Sequence, residues 1–299
     1  MNHGRGTLAE KKGTEEEDAA PHILHAGEQD RASISAGYLT MPETMQADPT
    51  RTEWIDQEYE DALVGLFQRL EKAVVRYIKT GDLPDVQKNA TPAARMPFNL
   101  DEFIRTLPKI IESEVIEPGD EIVQNYAEIA YKHGVMYSKL TLGLDVVLRK
   151  GDLDRNILKI LKSRNLSELK GISDEVSKSI IRSISSGLLQ GEGADDLAKR
   201  IRDSTGLGTT RSKAIARSET MKAVNEGVRD RYDKAGVKLL KRLIAGDDRV
   251  CDICRAIAQK DNGYGPGIYT LEEAAQIDAE AHPNDRCTWA PFFPDEETD

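Results

Sequence analysis

The sequence predicts a mainly α protein. Helical N-terminal and central parts are followed by a small α+β module at the C-terminus, stapled by zinc. Three observations carry this. Aromatic residues make up 5% of the 299, too few for a β-sandwich core, so packing must rest on Leu, Ile, Val and Ala. Apolar residues recur at three- and four-residue spacing through the middle of the chain. All three cysteines fall in two short scraps near the C-terminus, VCDIC and HPNDRC.

Residues 1–50 have no sustained apolar period. They hold the run Glu15-Glu16-Glu17-Asp18 and carry four basic against nine acidic side chains. Such a segment buries too little apolar surface to offset its ordering entropy, so a flexible acidic arm is expected. From Glu53 to Lys79 the pattern changes: Ile55, Tyr59, Leu63, Leu66, Leu70, Val74 and Tyr77 line one face of a long helix. Asp82 to Pro97 reads as a linker. Asn99, with Glu102 three residues on, reads as the cap of a second helix, which Pro108 is expected to break or kink. Pro118-Gly119 reads as a chain break and Asp120 as the next cap. The stripe Val123, Tyr126, Ala130, His133, Tyr137 and Leu140 follows, with His133 read as a satisfied core residue.

Residues 152–190 read as two helices, the second opened by Ser173. A short helix follows Gly193, with Ala194, Leu197, Ala198 and Ile201 facing inward. Gly206 and Gly208 are expected to end it, and a further helix should run from Thr210 to Lys234, closed by Gly236. Val237 to Ala245 reads as a strand, and Leu271 to Ala281 as a last short helix. The domains expected are therefore an arm at 1–50, a helical domain at 51–150, and a second domain at 151–299 with its Cys/His module at 237–292.

The formal charge of −11 is unevenly spread. Residues 191–242 carry thirteen basic and eight acidic side chains, whereas nine acids and the single base Arg286 lie from Glu272 onward. The basic stretch is open to two readings: solvated faces of mixed charge, or a surface for nucleic acid or an acidic protein. No segment approaches the ~18 apolar residues that read as a membrane span. The N-terminus lacks the apolar core of a secretory signal. A protein made and kept in a cytoplasm, without membrane contact, is expected.

Zinc favours four tetrahedral ligands drawn from thiolate and imidazole. Cys251 and Cys254 have the spacing of a knuckle that turns both sulfurs toward one ion. His282 and Cys287 supply a second pair if Pro283 and a turn at Asn284-Asp285 fold the chain back. The result is a closed Cys₃His site of the structural kind. A catalytic zinc keeps a position open, and neither HExxH nor the deaminase pattern is present. The competing reading is three buried cysteines acting as small hydrophobes; the polar flanks Asp247, Asp248, Asp252, Asp285 and Arg286 weigh against it. Ser218 and Thr220 have no histidine on their helix to activate them, so no enzyme is expected.

The run KAIARSETMKAVNEGVRDRYDKAGVK, then DDRVCDICRAI, then AHPNDRCTWAPF resembles the phage head morphogenesis family, the Mu F-like minor head proteins. Ala216 to Thr220, including Arg217, Glu219 and Thr220, match its helix signature, with Ser218 in place of the first Thr. Asn225 and Gly227 match the next element; Asp248, Cys251 and Cys254 the third; His282, Pro283, Arg286 and Cys287 the last. Asp285 departs from the pattern, standing where the family often has another cysteine. The resemblance extends over about 150–292. It implies a low-copy virion protein of a tailed phage, acting in head morphogenesis at the portal vertex inside the capsid. The implied partners are the portal protein, the major capsid or scaffold protein, and double-stranded DNA that it contacts or accompanies. The alternative is a zinc-stabilised nucleic-acid-binding protein using 191–242. By spacing alone, Arg217 lies at the edge of the stripe Ala214, Met221, Val224 and Val228, where it is expected to pair with Asp247 or Asp248. Glu219 is expected to bond backbone or the knuckle.

Overall fold

The computed structural model describes residues 49–80 and 98–294. Most of the expected arm and linker lies outside those residues. Five long helical segments form the body: α1 (Glu53–Thr80), α2 (Leu100–Ile111), α3 (Glu117–Thr141), α4 (Arg155–Leu189) and α5 (Ala194–Lys234). The C-terminal module adds β1 (Leu239–Leu243), α6 (Asp252–Gln259), β2 (Ile268–Thr270), α7 (Leu271–Ala279) and β3 (Thr288–Phe292). Its antiparallel sheet has the order β2-β1-β3, with Leu240 opposite both Tyr269 and Pro291, and Arg242 opposite Trp289.

The apolar period of α1 is realised in full: every residue of the expected stripe is buried. Asn99 caps α2, accepting the Glu102 N–H at 3.1 Å. Pro108 lies inside α2 without ending it. The break expected at Pro118-Gly119 is absent. Pro118 has no N–H to offer the carbonyl of the preceding turn, and the backbone meets this by widening into a π turn, Glu112–Ile116, before running on as α3. Gly119 is a packing position. A Cβ there would lie 2.4 Å from Leu169 Cδ2 of α4.

Two further breaks expected from the sequence are also absent. α4 is one helix of 35 residues; Ser173 sits inside it, donating back to the Leu169 carbonyl at 2.8 Å. α5 is one helix of 41 residues that runs through Gly206 and Gly208. At Gly208 a Cβ would lie 2.5 Å from the Phe67 ring of α1, so glycine is there for close approach. Of the expected α3 stripe, Val123, Ala130 and Tyr137 are buried and Tyr126 is half-buried, but the buried face is broader than expected. Ala127, Tyr131 and Val135 are buried, while Leu140 is 42% exposed. His133 is half-buried, its Nε2 2.6 Å from the Thr50 carbonyl, in keeping with a satisfied structural histidine.

α5 is the axis of the molecule. α1 runs antiparallel to it along a ladder of ion pairs: Lys79–Asp195, Glu71–Arg202, Glu60–Lys213 and Asp56–Arg217. α3 crosses it at backbone contact. A Cβ on Gly134 would lie 2.0 Å from the Val224 carbonyl, and one on Gly227 would lie 2.3 Å from that of Tyr131. One core cluster, including Leu66, Leu107, Ile180 and Ile201, draws on α1, α2, α4 and α5. A second, with Tyr131, Val228, Leu240 and Trp289, joins the helices to the sheet. Between 219 and 229 almost every face of α5 is buried, as expected of a helix enclosed by neighbours.

Candidate metal centre

Cys251 is the N-cap of α6, and its sulfur accepts the Cys254 N–H at 3.4 Å. This is the knuckle that the CxxC spacing predicts. That N–H, the largest of the effects on it, draws the Cys251 thiol below its ordinary pKa, favouring the thiolate. The sequence HPND forms the returning turn. The Asp285 N–H bonds the His282 carbonyl at 3.2 Å, with Pro283 at the second position and Asn284 at φ 64° in the third. These are the residues a type II turn prefers. The Asn284 N–H also reaches Ser218 Oγ on α5, at 3.1 Å.

The turn brings His282 Nε2 to 3.1 Å from the Cys251 sulfur and 3.2 Å from that of Cys254. The other ring nitrogen, Nδ1, lies 2.8 Å from the Pro283 carbonyl and must donate to it, since a carbonyl only accepts. In the neutral ring, Nε2 then turns a lone pair toward both thiols, the arrangement of a metal-ligating histidine. The Pro283 carbonyl, ahead of Cys251 and Asp285, raises the ring's pKa against the opposing effect of burial.

Cys287 enters through Cys254. The donor atoms of Cys251, Cys254 and His282 lie within 4.8 Å of one another, as do those of Cys254, Asp285 and Cys287. Cys254 and Cys287 are buried and Cys251 half-buried, and all three are free thiols. The cavity they line is about 20 Å³, room for one ion- or water-sized occupant. The donor chemistry, the pre-set tautomer and the cavity size all suit a single thiophilic ion.

Asp285, the departure in the sequence, is part of this cluster. It is buried, its Oδ1 accepts the Cys287 N–H at 2.9 Å and lies 3.6 Å from the Cys254 sulfur, and its Oδ2 pairs with Arg242 at 2.5 Å. Burial alone would raise its carboxyl pKa; Arg242 and the Cys287 N–H outweigh that and hold it below the usual value. Arg242 also pairs with Asp278 at 3.0 Å and lies 4.7 Å over the Trp289 ring. Asp278 in turn accepts from Arg229 and from Trp289 Nε1. This buried network of Arg229, Arg242, Asp278, Asp285 and Trp289 escapes sequence reading. Its members sit on four different elements and the turn before β3, and share no local spacing.

The signature residues divide. Asn225 is buried, and its side chain donates to the Cys287 carbonyl at 3.1 Å and to Asp278 at 3.4 Å. Glu219 is buried but bonds neither backbone nor the knuckle; it pairs with Arg164 of α4 at 2.7 Å and with Lys222. Thr220 is buried, its hydroxyl without a hydrogen-bond partner among the described residues. Arg217 does not reach Asp247 or Asp248. It points across to Asp56 of α1, 3.8 Å away, because its face of α5 is turned to α1. Asp247 is taken by Arg286, through bonds of 2.6 and 2.8 Å, and by Arg249, which together hold its carboxyl well below the usual range. Asp248 is exposed and outside the cluster.

The fold and site define a class: a helical body carrying a thiol–imidazole knuckle fastened to its central helix. Residues 178–290 match the family model described as Phage Mu protein F like protein. That segment holds the end of α4, all of α5 and the whole knuckle. No curated protein and no solved structure matches the chain. Among the described residues, no helix is long and apolar enough to cross a membrane.

Proposed function

We propose that this is a minor head protein of a tailed phage that joins the portal vertex inside the capsid as a structural component, without turnover. Its C-terminal module is held by one structural zinc on Cys251, Cys254, His282 and Cys287. The observation that carries the reading is the union of the two signature parts. Asn225 and Ser218 of α5 bond directly to the Cys287 carbonyl and the Asn284 N–H, so helix and knuckle present one rigid surface within the matched segment. Zinc would supply cross-linking of chain segments that share little apolar contact; the local cluster of Ala245, Val250, Cys254 and Cys287 is small. A cavity of only about 20 Å³, with all four donors in its lining, suits a staple better than a substrate site.

Nucleic-acid binding through 191–242 is the lesser reading. Of the thirteen basic residues there, eleven sit within salt-bridge distance of a carboxylate of the same chain, and Lys241 donates to the Pro266 carbonyl. Charge spent internally is less able to release counterions from DNA. Accompaniment of packaged DNA therefore rests on position in the head more than on this stretch.

Co-expression with the portal protein of the same phage tests the proposal. Sedimentation of the full chain with the portal ring, in fixed ratio and insensitive to nuclease, is the expected result. Separation of the two at moderate salt, with the chain instead retained on DNA, would favour the second reading.

A further inference from the structure

We propose that Arg242 is a positioning residue that sets the donor set of the metal centre by holding Asp285 off the ion. The inference rests on the metal reading above and deepens it. Five potential donors crowd one small cavity, while a tetrahedral ion takes four. Asp285 is the odd one: a hard oxygen donor among thiols, 3.6 Å from the Cys254 sulfur. A loose carboxylate at that distance would compete with a thiolate and open the site to oxygen-preferring ions.

Both of its oxygens already accept hydrogen bonds from the protein, while Oδ1 also faces the Cys254 sulfur. Oδ2 is held by Arg242 Nη2 at 2.5 Å and Oδ1 by the Cys287 N–H at 2.9 Å. Arg242 is itself fixed. Its side chain is 1% exposed, its Nη1 bonds Asp278 at 3.0 Å, and its guanidinium lies over Trp289. The planar fork reaches two carboxylates at once, which a lysine cannot reproduce. The guanidinium also cancels the charge of Asp285 beside thiolates that would otherwise repel it. Asp285 thereby serves as an outer acceptor that orients the Cys287 backbone. The residue that departs from the family pattern becomes a support for its neighbour, with Arg242 on β1 as the part that makes this so.

Cobalt(II) is the probe, loaded into the full chain, because its thiolate charge-transfer absorption scales with the number of bound sulfurs. The wild type should give a three-thiolate spectrum, and X-ray absorption of the zinc-loaded wild type should show sulfur and nitrogen donors with no oxygen. In Arg242→Gln the charge-transfer band should fall by about one third, one thiolate of three giving way to the released carboxylate. Adding Asp285→Asn to that variant should restore it, a rescue that a merely structural role for Arg242 would not produce. An oxygen donor in the zinc-loaded wild type would overturn the proposal even if the variants fail to fold. So would an unchanged band in Arg242→Gln, or a loss that Asp285→Asn does not restore. A wild type that takes up neither metal would sink the metal reading itself, a result distinct from any of these.

Discussion

The side-chain amide of Asn225, in the middle of the central helix, donates to the backbone carbonyl of Cys287, 3.1 Å away and 62 residues later in the chain. That bond makes the helix signature and the knuckle one structural unit. Asn225→Ala leaves a buried carbonyl without its donor, which costs about 1–3 kcal/mol. Urea denaturation should show a midpoint shift of that size with an unchanged slope. A shift below about 0.5 kcal/mol would mean that water replaces the amide at little cost.

Glycines give a paired test. Gly134→Ala pushes a Cβ to 2.0 Å from the Val224 carbonyl, so α3 and α5 must separate, at a cost of about 1–3 kcal/mol or more. Gly65→Ala on α1 meets nothing within 4 Å and should stabilise by about 0.5–1 kcal/mol through helix propensity. Thermal midpoints moving in opposite directions are expected; midpoints moving together would contradict the backbone contact.

Acid sensitivity should trace in part to Asp152. Burial opposes its ionisation, but Lys139 and the Arg149 N–H outweigh burial and hold its carboxyl below the ordinary value. A depressed folded-state pKa gives stability that is complete above the unfolded value, near pH 4, and is lost as pH falls through the folded one. Asp152→Asn should therefore be less stable than wild type at pH 7, with the gap closing below about pH 4. A gap that stays constant down to pH 2 would remove this pair from the account.

Much of the fold is legible in the sequence where a period is long and its partner is one core. The α1 stripe, the Asn99 cap, the CxxC knuckle and a turn after His282 are all local chemistry, though the corner falls at Pro283-Asn284, one residue before the expected Asn284-Asp285. The glycine misreadings share one cause. Gly119, Gly206 and Gly208 look like punctuation, because a missing side chain marks a turn and a close helix contact alike. Gly119 and Gly208 are packed against neighbouring side chains. Ser173 looks like a cap, but its hydroxyl bonds back within α4. Spacing alone offers Arg217 the carboxylates of Asp247 or Asp248, whereas the antiparallel register of α1 and α5 brings it Asp56. Arg242 and Asp278 carry no local signal, since only the closed sheet brings them to Asp285 and Trp289.

The metal content of the full chain tests the central claim most directly. Protein purified without chelator should carry about one zinc per chain. Chelation should release it, dissolve the near-ultraviolet signal of the buried Trp289, and make the chain after Gly236 sensitive to protease, as should Cys251→Ser. A metal-free preparation that keeps the Trp289 signal and resists protease would contradict the clasp.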